Sequence, residues 1–437
     1  MEIRLTEQKT KMTGNGRYPE LLCPANNLEV LKVAVLYGAD AVYIGGEAFS
    51  LRAGAKNFSQ SDMAEGIAFA HAHHVSVYVT ANILAHNDDL EQAETYFREL
   101  ASLGPDAILI SDPGLFMISK RVCPNIPVHI STQANNVNYG TFRFWYDLGV
   151  RRVVCGRELS LREICQIREH IPEDMEIEAF VHGAMCISYS GRCLLSNFLT
   201  GRDANRGACT HPCRWRYSLM EETRPGEYMP VFENERGTYI FNSKDLCMIG
   251  HIPELISAGI DSLKIEGRMK TALYVATVAR TYRKAIDDYL KDPALYESNM
   301  SWYLEQIASC TYREFTTGFF FGRPDETAQI YDENTYRVGF VYLGITGDEK
   351  DGYFSLQQRN KFSVGETVQI MKPSGKNIDT RVIDILDENG IHVDSAPHPK
   401  QELWVKLEVL PERWDIIRRK CDTPTETVQL LDPAVKI

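Results

Sequence analysis

Cysteine is the residue type whose spacing in this chain could most directly do chemistry. Of eleven cysteines in 437 residues, four fall within 28 residues and a fifth follows 34 residues later. They are Cys186, Cys193, Cys209, Cys213 and Cys247. The polar first twenty residues do not resemble a secretory signal, and no run of 18 apolar residues predicts a membrane span. We therefore expect a cytoplasmic protein without membrane contact, in which clustered cysteines bind metal or react rather than form disulfides.

The spacing of these cysteines favours an iron–sulfur cluster over a structural zinc site. The sequence lacks the paired Cys-x-x-Cys of a zinc ribbon, and no H-x₃₋₅-H pair lies close after the clustered cysteines. Cys209 and Cys213 are four apart, so on a helical turn their sulfur atoms would face the same side. Four thiolates with irregular spacing suit a 4Fe–4S cluster. The alternative is buried, inert cysteines, but the neighbouring residues are Ser, Thr, Arg and His rather than Leu and Val.

The same segment carries a local positive charge in an acidic protein. The net charge of −12 argues against a general nucleic-acid coat. From 192 to 217, however, five arginines face one aspartate, and aromatic residues are interleaved with them. Arginine and aromatic side chains together suit phosphate contact and base stacking. The alternative is a loop whose arginines pair with acidic neighbours. The candidate RNA-binding residues are Arg202, Arg206, Arg214, Trp215 and Arg216.

Residues from about 20 to 290 repeat one transition from helix to strand. A helical pattern ends at glycine, Asp or Arg follows two residues later, and a β-branched run begins, as at Gly38, Gly104, Gly149 and Gly259. Short apolar strands alternating with helices predict parallel βαβ units. The predicted strands are 21–25, 41–45, 75–81, 107–112, 128–133, 151–156, 177–183 and 262–267, with 239–246 as a possible extra one.

Eight such units predict a TIM-like (β/α)₈ barrel. A doubly wound open sheet is the runner-up, but no G-x-G-x-x-G follows the first strand. Function in a barrel lies at the carboxyl ends of the strands. Polar residues follow many of the predicted strands, namely Asn82, Asp112, Gln133, Arg157, Glu158, His182, Lys244, Asp245, Glu266 and Arg268.

The remaining sequence predicts a second, smaller domain. From Tyr336 to about Leu410 the apolar pattern has period two, and Asn389-Gly390 is a hairpin signal, so we predict a small antiparallel β-barrel. Such a module binds RNA or protein, or braces the first barrel. The predicted organisation is a tail (1–19), the TIM-like barrel (20–290) with a cysteine-rich insertion (184–238), a helical connector (291–334), the small barrel (335–412) and a second tail (413–437).

Several catalytic motifs are absent from the sequence. It contains no H-E-x-x-H, no G-x-S-x-G and no P-loop. His71, His73 and His74 resemble a metal-ligand run, but they lie at a predicted helix end, where cationic residues favour the helix dipole.

Long motifs of this chain resemble the collagenase-like peptidase U-32 family. The family signature is matched by EAFVHGAMC at 178–186 and GRCLLS at 191–196. Further matching stretches are SDPGL (111–115), STQANNVN (131–138), GRELSL (156–161), GRDANRGACTHPCRW (201–215), NSKDL (242–246) and KIEGRMK (264–270). FSVGETVQIMKPSG at 362–375 resembles the C-terminal β-barrel domain of one branch of the family.

This resemblance implies two different activities. The family name implies a peptidase. Its characterised hydroxylating members instead carry an iron–sulfur cluster and hydroxylate RNA bases or ubiquinone precursors without molecular oxygen. The branch that this chain resembles hydroxylates carbon 5 of the wobble uridine in certain tRNAs, with prephenate implicated as the oxygen source. The implied partners are tRNA and prephenate, and a paralogous family member is a further candidate.

The resemblance also assigns roles to individual residues. Cys186, Cys193, Cys209 and Cys213 match the cysteines of that branch, with Cys247 as the alternative fourth ligand. Prephenate is a dicarboxylate, and arginine forks suit carboxylates. The candidate substrate-binding residues are Arg157, Lys264, Arg268 and Lys270, and the candidate proton-transfer residues are Glu178, His182 and Glu266.

Proteolysis is the main alternative to RNA hydroxylation. A cysteine peptidase using Cys186 with His182 is conceivable, because an imidazole can lower a thiol pKa. No nucleophile, base and oxyanion site are recognisable together, and iron ligation would consume the thiolate. Hydroxylation of another RNA base or of a quinone precursor is the further alternative.

Overall fold

A computed structural model describes residues 18–50, 57–186, 188–214, 219–220, 228–229, 244–322, 324 and 337–421. The strands of its first domain are β1 (Glu20–Pro24), β2 (Ala41–Gly45), β3 (Ser76–Ala81), β4 (Ala107–Ile110), β5 (Val128–Ile130), β6 (Arg152–Val154), β7 (Glu176–Ala184), β8 (Leu219–Met220), β9 (Tyr228–Met229), β10 (Asp245–Cys247) and β11 (Ser262–Ile265). The parallel strands β1 to β7 are neighbours in sequence order, and β11 pairs in parallel with both β1 and β7. This closes an eight-stranded barrel and confirms the predicted TIM-like fold.

The helices follow the barrel strands in chain order, apart from α7 in the insertion and α10 and α11 in the connector. They are α1 (Leu28–Leu36), α2 (Gln60–Ala72), α3 (Asn87–Leu103), α4 (Pro113–Val122), α5 (Tyr139–Asp147), α6 (Leu161–His170), α7 (Leu195–Thr200), α8 (Ile252–Ser257), α9 (Ala272–Lys291), α10 (Pro293–Ser298) and α11 (Met300–Ile307). Side chains at the helix starts accept backbone hydrogen bonds, as Asn27 does for α1 and Asp112 for α4. The predicted glycines end helices with positive φ, for example 68° at Gly104. The large core lies between strands and helices.

The extra strand predicted at 239–246 is only partly as expected. Residues 239–243 lie outside the described residues. β10 pairs antiparallel with β7, so it extends the sheet outside the closed barrel and adds no ninth barrel strand. Asp245 is buried there and accepts from Arg313 Nε at 2.9 Å. Its carboxylate therefore holds the connector to the barrel.

The second domain contains a closed six-stranded antiparallel barrel. The later strands are β12 (Thr311–Tyr312), β13 (Phe315–Thr316), β14 (Arg337–Val338), β15 (Phe340–Lys350), β16 (Tyr353–Gln357), β17 (Phe362–Ser363), β18 (Thr367–Met371), β19 (Asn377–Leu386), β20 (Ser395–Ala396), β21 (Glu402–Leu407) and β22 (Ile416–Lys420). The barrel order is β15-β16-β21-β19-β18-β22. β22 lies in the segment that the sequence assigned to the tail, so the predicted boundary at 412 is too early. Pairing of β22 with β15 and β18 closes the barrel.

Polar contacts join the second barrel to the first barrel and to the connector. The Tyr37 hydroxyl donates to the carbonyl of Met371 at 2.8 Å, and Arg418 Nη1 donates to Ser309 Oγ at 2.9 Å. Arg359 forms an ion pair with Glu29 at 2.7 Å. Hydrogen bonds and ion pairs require a particular orientation of the joined groups, so these contacts define how the two barrels are placed relative to each other. Within the described chain, no helix is long and apolar enough to cross a membrane.

Candidate active site

Arg157 and Glu266 meet at the mouth of the first barrel, at the carboxyl ends of β6 and β11. Arg157 Nη2 lies 3.3 Å from Glu266 Oε2, and Nη1 donates to the carbonyl of Ala184 at 2.8 Å. The guanidinium carbon is 4.0 Å from the centre of the Phe180 ring, which is almost fully buried. A planar cation stacked on this ring is held in one orientation. Phe180 therefore forms a floor on which Arg157 and Glu266 are fixed.

Arg268 reaches the same mouth across a glycine. It is 5% exposed, and its Nη1 donates to Thr80 Oγ1 at 3.0 Å. Thr80 is in turn 2.9 Å from Ser50 Oγ. A Cβ on Gly45, the last residue of β2, would lie 2.8 Å from the Arg268 guanidinium carbon and would overlap Nη2. Gly45 therefore leaves the space through which Arg268 enters.

Polar atoms near this mouth have no hydrogen-bond partner among the described residues. They include Asn82 Oδ1, Gln133 Oε1 and Arg157 Nε, which are all buried. Buried polar groups are normally satisfied, and an unsatisfied one in a cleft indicates a role for a ligand or an ordered water. Burial also raises the pKa of the Glu158 carboxyl beside Arg157. The mouth thus combines fixed cations, acceptors without a partner among the described residues, and a carboxyl whose pKa is raised by burial.

Glu178 and Lys264 are not at the mouth. Glu178 is fully buried in the barrel interior, and Lys264 Nζ donates to its Oε1 at 2.7 Å. The Lys264 ammonium also lies 4.5 Å from the Tyr43 ring centre and 5.3 Å from that of Phe180. Both rings therefore pack against the buried ammonium. This placement does not favour Glu178 as a proton-transfer group or Lys264 as a substrate ligand for a substrate held at the mouth.

His182 points out of the barrel rather than into its mouth. Its Nδ1 lies 3.3 Å from the hydroxyl of Tyr282 on α9, and its ring packs on Phe315 at 5.8 Å. Gly183 follows with φ of 106°, and the register of β11 with β7 shifts beside it. Such a bulge changes which face a side chain takes. Burial lowers the pKa of His182 to about 3, so the ring is neutral. This placement does not favour a catalytic role for His182 at the mouth, alone or with Cys186.

The cysteine-rich insertion is attached to the mouth on the β5 side. Asn135 Nδ2 donates to the carbonyl of Ser190 at 2.5 Å, and Arg192 Nε donates to Asn135 Oδ1 at 2.8 Å. Gly191 has φ of 73°, and a Cβ there would lie 2.8 Å from the carbonyl oxygen of Gln133. Only glycine fits this close approach of two backbones without strain. The insertion therefore starts directly against the barrel rim.

The insertion is attached again on the β3 side. The backbone N–H of Leu84 donates to the carbonyl of Asn205 at 3.2 Å, and Asn205 Nδ2 donates to the carbonyl of Cys193 at 3.0 Å. Arg206 Nη2 pairs with Asp89 at 2.8 Å. The insertion thus spans part of the mouth between two barrel loops. These contacts hold the cysteine-bearing insertion against the rim of the barrel.

The four cysteines of the insertion differ in exposure. Cys186 is exposed and the other three are partly buried, and none is in a disulfide. Cys213 lies in a single 3₁₀ turn (Pro212–Arg214), whereas Cys209 precedes that turn. The expectation that both share one helical turn is therefore wrong. The backbone N–H of His211 donates to Cys209 Sγ at 3.4 Å. Among the described residues, no three His, Cys, Asp or Glu side chains lie close enough to hold a metal ion.

Cys247 is set apart from this group. It is buried in β10 opposite His182, and its Sγ lies 4.0 Å from the Tyr282 hydroxyl. Burial raises the pKa of its thiol to about 11, which disfavours the thiolate that a metal requires. Its side chain faces α9, whereas the other four cysteines belong to the insertion. The positions of the two candidates for the fourth ligand favour Cys213.

The remaining predicted residues are divided among three locations. Lys270 lines a cleft between the two barrels. Arg202 is exposed, and the Arg206 guanidinium forms an ion pair with Asp89. The side chain of Arg214, and the whole of Trp215 and Arg216, lie outside the described residues. Tyr189 and Phe198 are exposed by 54% and 86%, so the insertion presents aromatic surface beside the mouth.

The sequence analysis missed Gly45, Ser50 and Thr80. Thr80 lies within the predicted strand at 75–81, and its inward position at the strand end is the signal that could have identified it. Ser50 and Gly45 have no such signal, because only the approach of Arg268, more than 200 residues later, gives them a role.

Comparisons with known proteins match both domains. A family model described as peptidase family U32 matches residues 26–330, and one described as its C-terminal domain matches residues 338–418. A tRNA hydroxylation protein of Bacillus subtilis is 43% identical over 392 residues, which cover 89% of this chain and 92% of that protein. The tRNA hydroxylation protein P of Escherichia coli is 39% identical, covering 89% of this chain and 94% of that protein. A 23S rRNA 5-hydroxycytidine synthase of Escherichia coli is 37% identical, covering 64% of this chain and 41% of that protein.

Proposed function

This chain belongs to peptidase family U32, and from that premise we propose that it is an RNA-modifying enzyme that hydroxylates a tRNA base. Relatives named for hydroxylation of tRNA and rRNA support this class of reaction. The finer proposal is oxygen-independent hydroxylation of carbon 5 of the wobble uridine, with prephenate as the oxygen source. The observation that carries the proposal is the pair of fixed arginines, Arg157 and Arg268, at a mouth partly spanned by the cysteine-rich insertion.

The two arginines suit a small dicarboxylate. Each is held by neighbouring groups, Arg157 by Phe180 and the carbonyl of Ala184, and Arg268 by Thr80. Because these contacts already fix the guanidinium planes, little conformational entropy is lost when a carboxylate binds. Glu266 beside Arg157 limits the net positive charge of the mouth. A dicarboxylate can therefore bind in one orientation, and the site does not bind all anions without selection.

The insertion supplies the donor set that a 4Fe–4S cluster requires. Cys186, Cys193, Cys209 and Cys213 are four thiols in polar surroundings, and the N–H of His211 donates to the sulfur of Cys209 as it would to a ligating thiolate. The donor type and number are those that the cluster requires, and the described side chains would have to move closer together to bind it. A cluster held there would supply one-electron transfer or a Lewis-acidic iron next to the mouth.

Proton transfer is assigned to carboxyl groups at the mouth. Burial raises the pKa of Glu158, so this carboxyl can hold a proton that a reacting base or carboxylate needs. Glu266 is held by Arg157 and stays available as an acceptor. Phe180 closes the floor of the mouth, and the ring excludes water from the barrel interior below.

RNA contact is assigned to the exposed face of the insertion. Phe198 and Tyr189 offer ring faces on which bases can stack, and Arg202 offers a cation for a phosphate. Arg206 contributes less, because it is paired with Asp89. The target base would enter the mouth while its neighbours rest on this face. Extrusion of a base from its stack is the usual route by which enzymes reach a base atom.

The test is complementation of a strain whose tRNA lacks the wobble modification, read by mass spectrometry of digested tRNA. Wild-type protein should restore 5-hydroxyuridine-type modification. Arg157→Ala should fail to restore it while keeping the iron content of the wild type. Arg162→Ala is the matched control, because Arg162 is exposed on α6, outside the barrel, and should restore the modification.

Two outcomes would contradict the proposal. One is wild-type protein with full iron content that leaves tRNA unmodified in that strain. The other is cleavage of denatured collagen by the same preparation, with tRNA unchanged, which would support the peptidase activity implied by the family name.

A further inference from the structure

A cleft of about 820 Å³ lies between the two barrels. The first barrel contributes the loop after β1, with Asn26 and Asn27, and the loop after β11, with Lys270. The second barrel contributes Phe340, Arg359 and Lys400. No residue of the cysteine-rich insertion is among the described residues that line it. The cleft is therefore a second concave surface, separate from the face already assigned to RNA.

The cleft opens beside the barrel mouth. Lys270 is two residues after Arg268, and both follow the carboxyl end of β11. Asn26, which follows β1, donates through Nδ2 to the carbonyl of Lys270 at 3.2 Å and so joins the two loops that form this wall. Because parallel strands end on one face of a barrel, the cleft and the mouth share that face. A polymer with one unit in the mouth would have its next units at the cleft.

The charge of the cleft is opposite to that of the protein. The chain has a net charge of −12. The described lining of the cleft contains Lys270, Arg359 and Lys400, whereas its single carboxylate, Glu29, is paired with Arg359 at 2.7 Å. A positive concave surface on an acidic protein attracts a polyanion locally without attracting it everywhere. This pattern favours a specific phosphate-bearing ligand.

Lys400 has a backbone conformation that a residue with a Cβ rarely adopts. Its φ is 63°, its side chain is exposed, and its N–H donates to the carbonyl of Gln358 at 2.9 Å. Glycine would be the favoured residue here on conformational grounds. Lys400 therefore lines the cleft on a backbone that its bond to Gln358 holds in place.

The second barrel also offers an aromatic surface that is already fixed. Phe340 lines the cleft, and the Arg418 guanidinium packs 4.1 Å from its ring centre. Arg418 is held by Ser309 of the connector at 2.9 Å. Aromatic rings in a positive groove are the usual platform for unpaired bases. Since the wall is braced from behind, the cleft exists before any ligand arrives.

We propose that this cleft binds the single-stranded nucleotides that flank the target base, with Lys270 and Lys400 on phosphates and Phe340 under a base. The proposal rests on the tRNA-hydroxylation function given above and assigns the small barrel a direct part in it. The RNA then contacts the protein on two sides of the mouth, at the insertion and at the cleft. This arrangement would hold the target base over Arg157 and Arg268.

The experiment measures binding of an unmodified tRNA transcript to the full-length protein between about 50 and 200 mM salt. Lys400→Glu should weaken binding about tenfold, and the slope of log K against log salt should flatten by about 0.7, the value for one phosphate of a single strand. Lys376→Glu is the matched control, because Lys376 is exposed on the same barrel but does not line the cleft. It should bind within twofold of the wild type.

A second variant separates binding from folding. Lys400→Gly removes the charge and also the strained conformation, so it should fold at least as well as the wild type and still show the flatter salt slope. One contrary result is that Lys400→Glu and Lys400→Gly bind tRNA as Lys376→Glu does while all three variants still hydroxylate it. That result would overturn the proposal that the cleft binds RNA, and it would leave the proposed hydroxylation function intact. Wild-type protein that neither binds nor modifies tRNA would overturn both.

Discussion

Replacing Gly45 with alanine should disable the mouth while leaving the rest of the barrel in place. The added methyl group would occupy the position of Arg268 Nη2 and approach Ser50 Oγ. Both are ends of side chains, so the guanidinium is expected to move rather than the strand. Its movement breaks the bond from Nη1 to Thr80 Oγ1, which is 3.0 Å long and buried. The substitution therefore removes the function of Arg268 without changing its charge.

The size of the effect follows from the bond that is lost. A buried hydrogen bond to a charged group contributes about 1.5–3 kcal/mol. If this contribution orients the bound carboxylate in the transition state, kcat/KM should fall about 10- to 150-fold. The free energy of unfolding should change less, by about 1 kcal/mol, because the displaced guanidinium can reach the open mouth.

Gly46→Ala is the matched control for this variant. It is the next residue, and its added methyl group would meet Met63 Cε and the Tyr96 hydroxyl, each at 2.9 Å, rather than Arg268. It should cost a similar amount of stability and leave kcat/KM close to that of the wild type. The assay is tRNA hydroxylation by purified protein at varied dicarboxylate concentration, with thermal unfolding of each variant. Equal kcat/KM for Gly45→Ala and the wild type would refute the role given to Arg268.

Three further outcomes are expected. Cys213→Ala should lose bound iron and acid-labile sulfide, whereas Cys247→Ala should retain both; the reverse result would move the fourth ligand to β10. Glu178→Gln should lower the free energy of unfolding by about 3–5 kcal/mol, because it leaves the Lys264 ammonium buried without its carboxylate; a urea-denaturation change below about 1 kcal/mol would contradict this. Burial lowers the pKa of His182 to about 3, so the unfolded chain binds a proton on this histidine more readily than the folded protein does. The neutral buried ring therefore contributes its full share of stability above pH 6.5, and this contribution is lost as the pH falls towards 3. Between pH 7 and 5 the wild type should therefore lose about 2 kcal/mol more than His182→Gln, and equal losses would show a solvated ring.

The elements were predictable because their signals are local. A helix end needs a residue that tolerates positive φ, and Gly38, Gly104, Gly149 and Gly259 supply it wherever the sequence analysis placed a transition. Strand β2 has the predicted bounds, since an apolar run between turns carries its own length. The number of such strand–helix units was enough to predict the first barrel. The alternation of apolar and polar residues was enough to predict the second barrel.

The faces of strand-end residues were not predictable. Glu178 and His182 are both polar residues of one strand, and alternation places them on the same face. The irregular register at Lys264 and the turn at Gly183 send His182 outward while Glu178 stays inside. A bulge depends on how two distant strands fit together, and no local pattern reports it.

The sequence by itself therefore determined the two barrels, their helices and the concentration of thiols and arginines in one insertion, because each depends on neighbours within a few residues. Only the tertiary structure decided which cations reach the mouth. Arg268 meets Thr80, Lys264 meets Glu178, and the cleft brings Lys270 and Lys400 to one surface. These partners are separated by between 86 and 188 positions. Contact at such separations is decided by strand register and domain packing, which a single sequence does not encode locally.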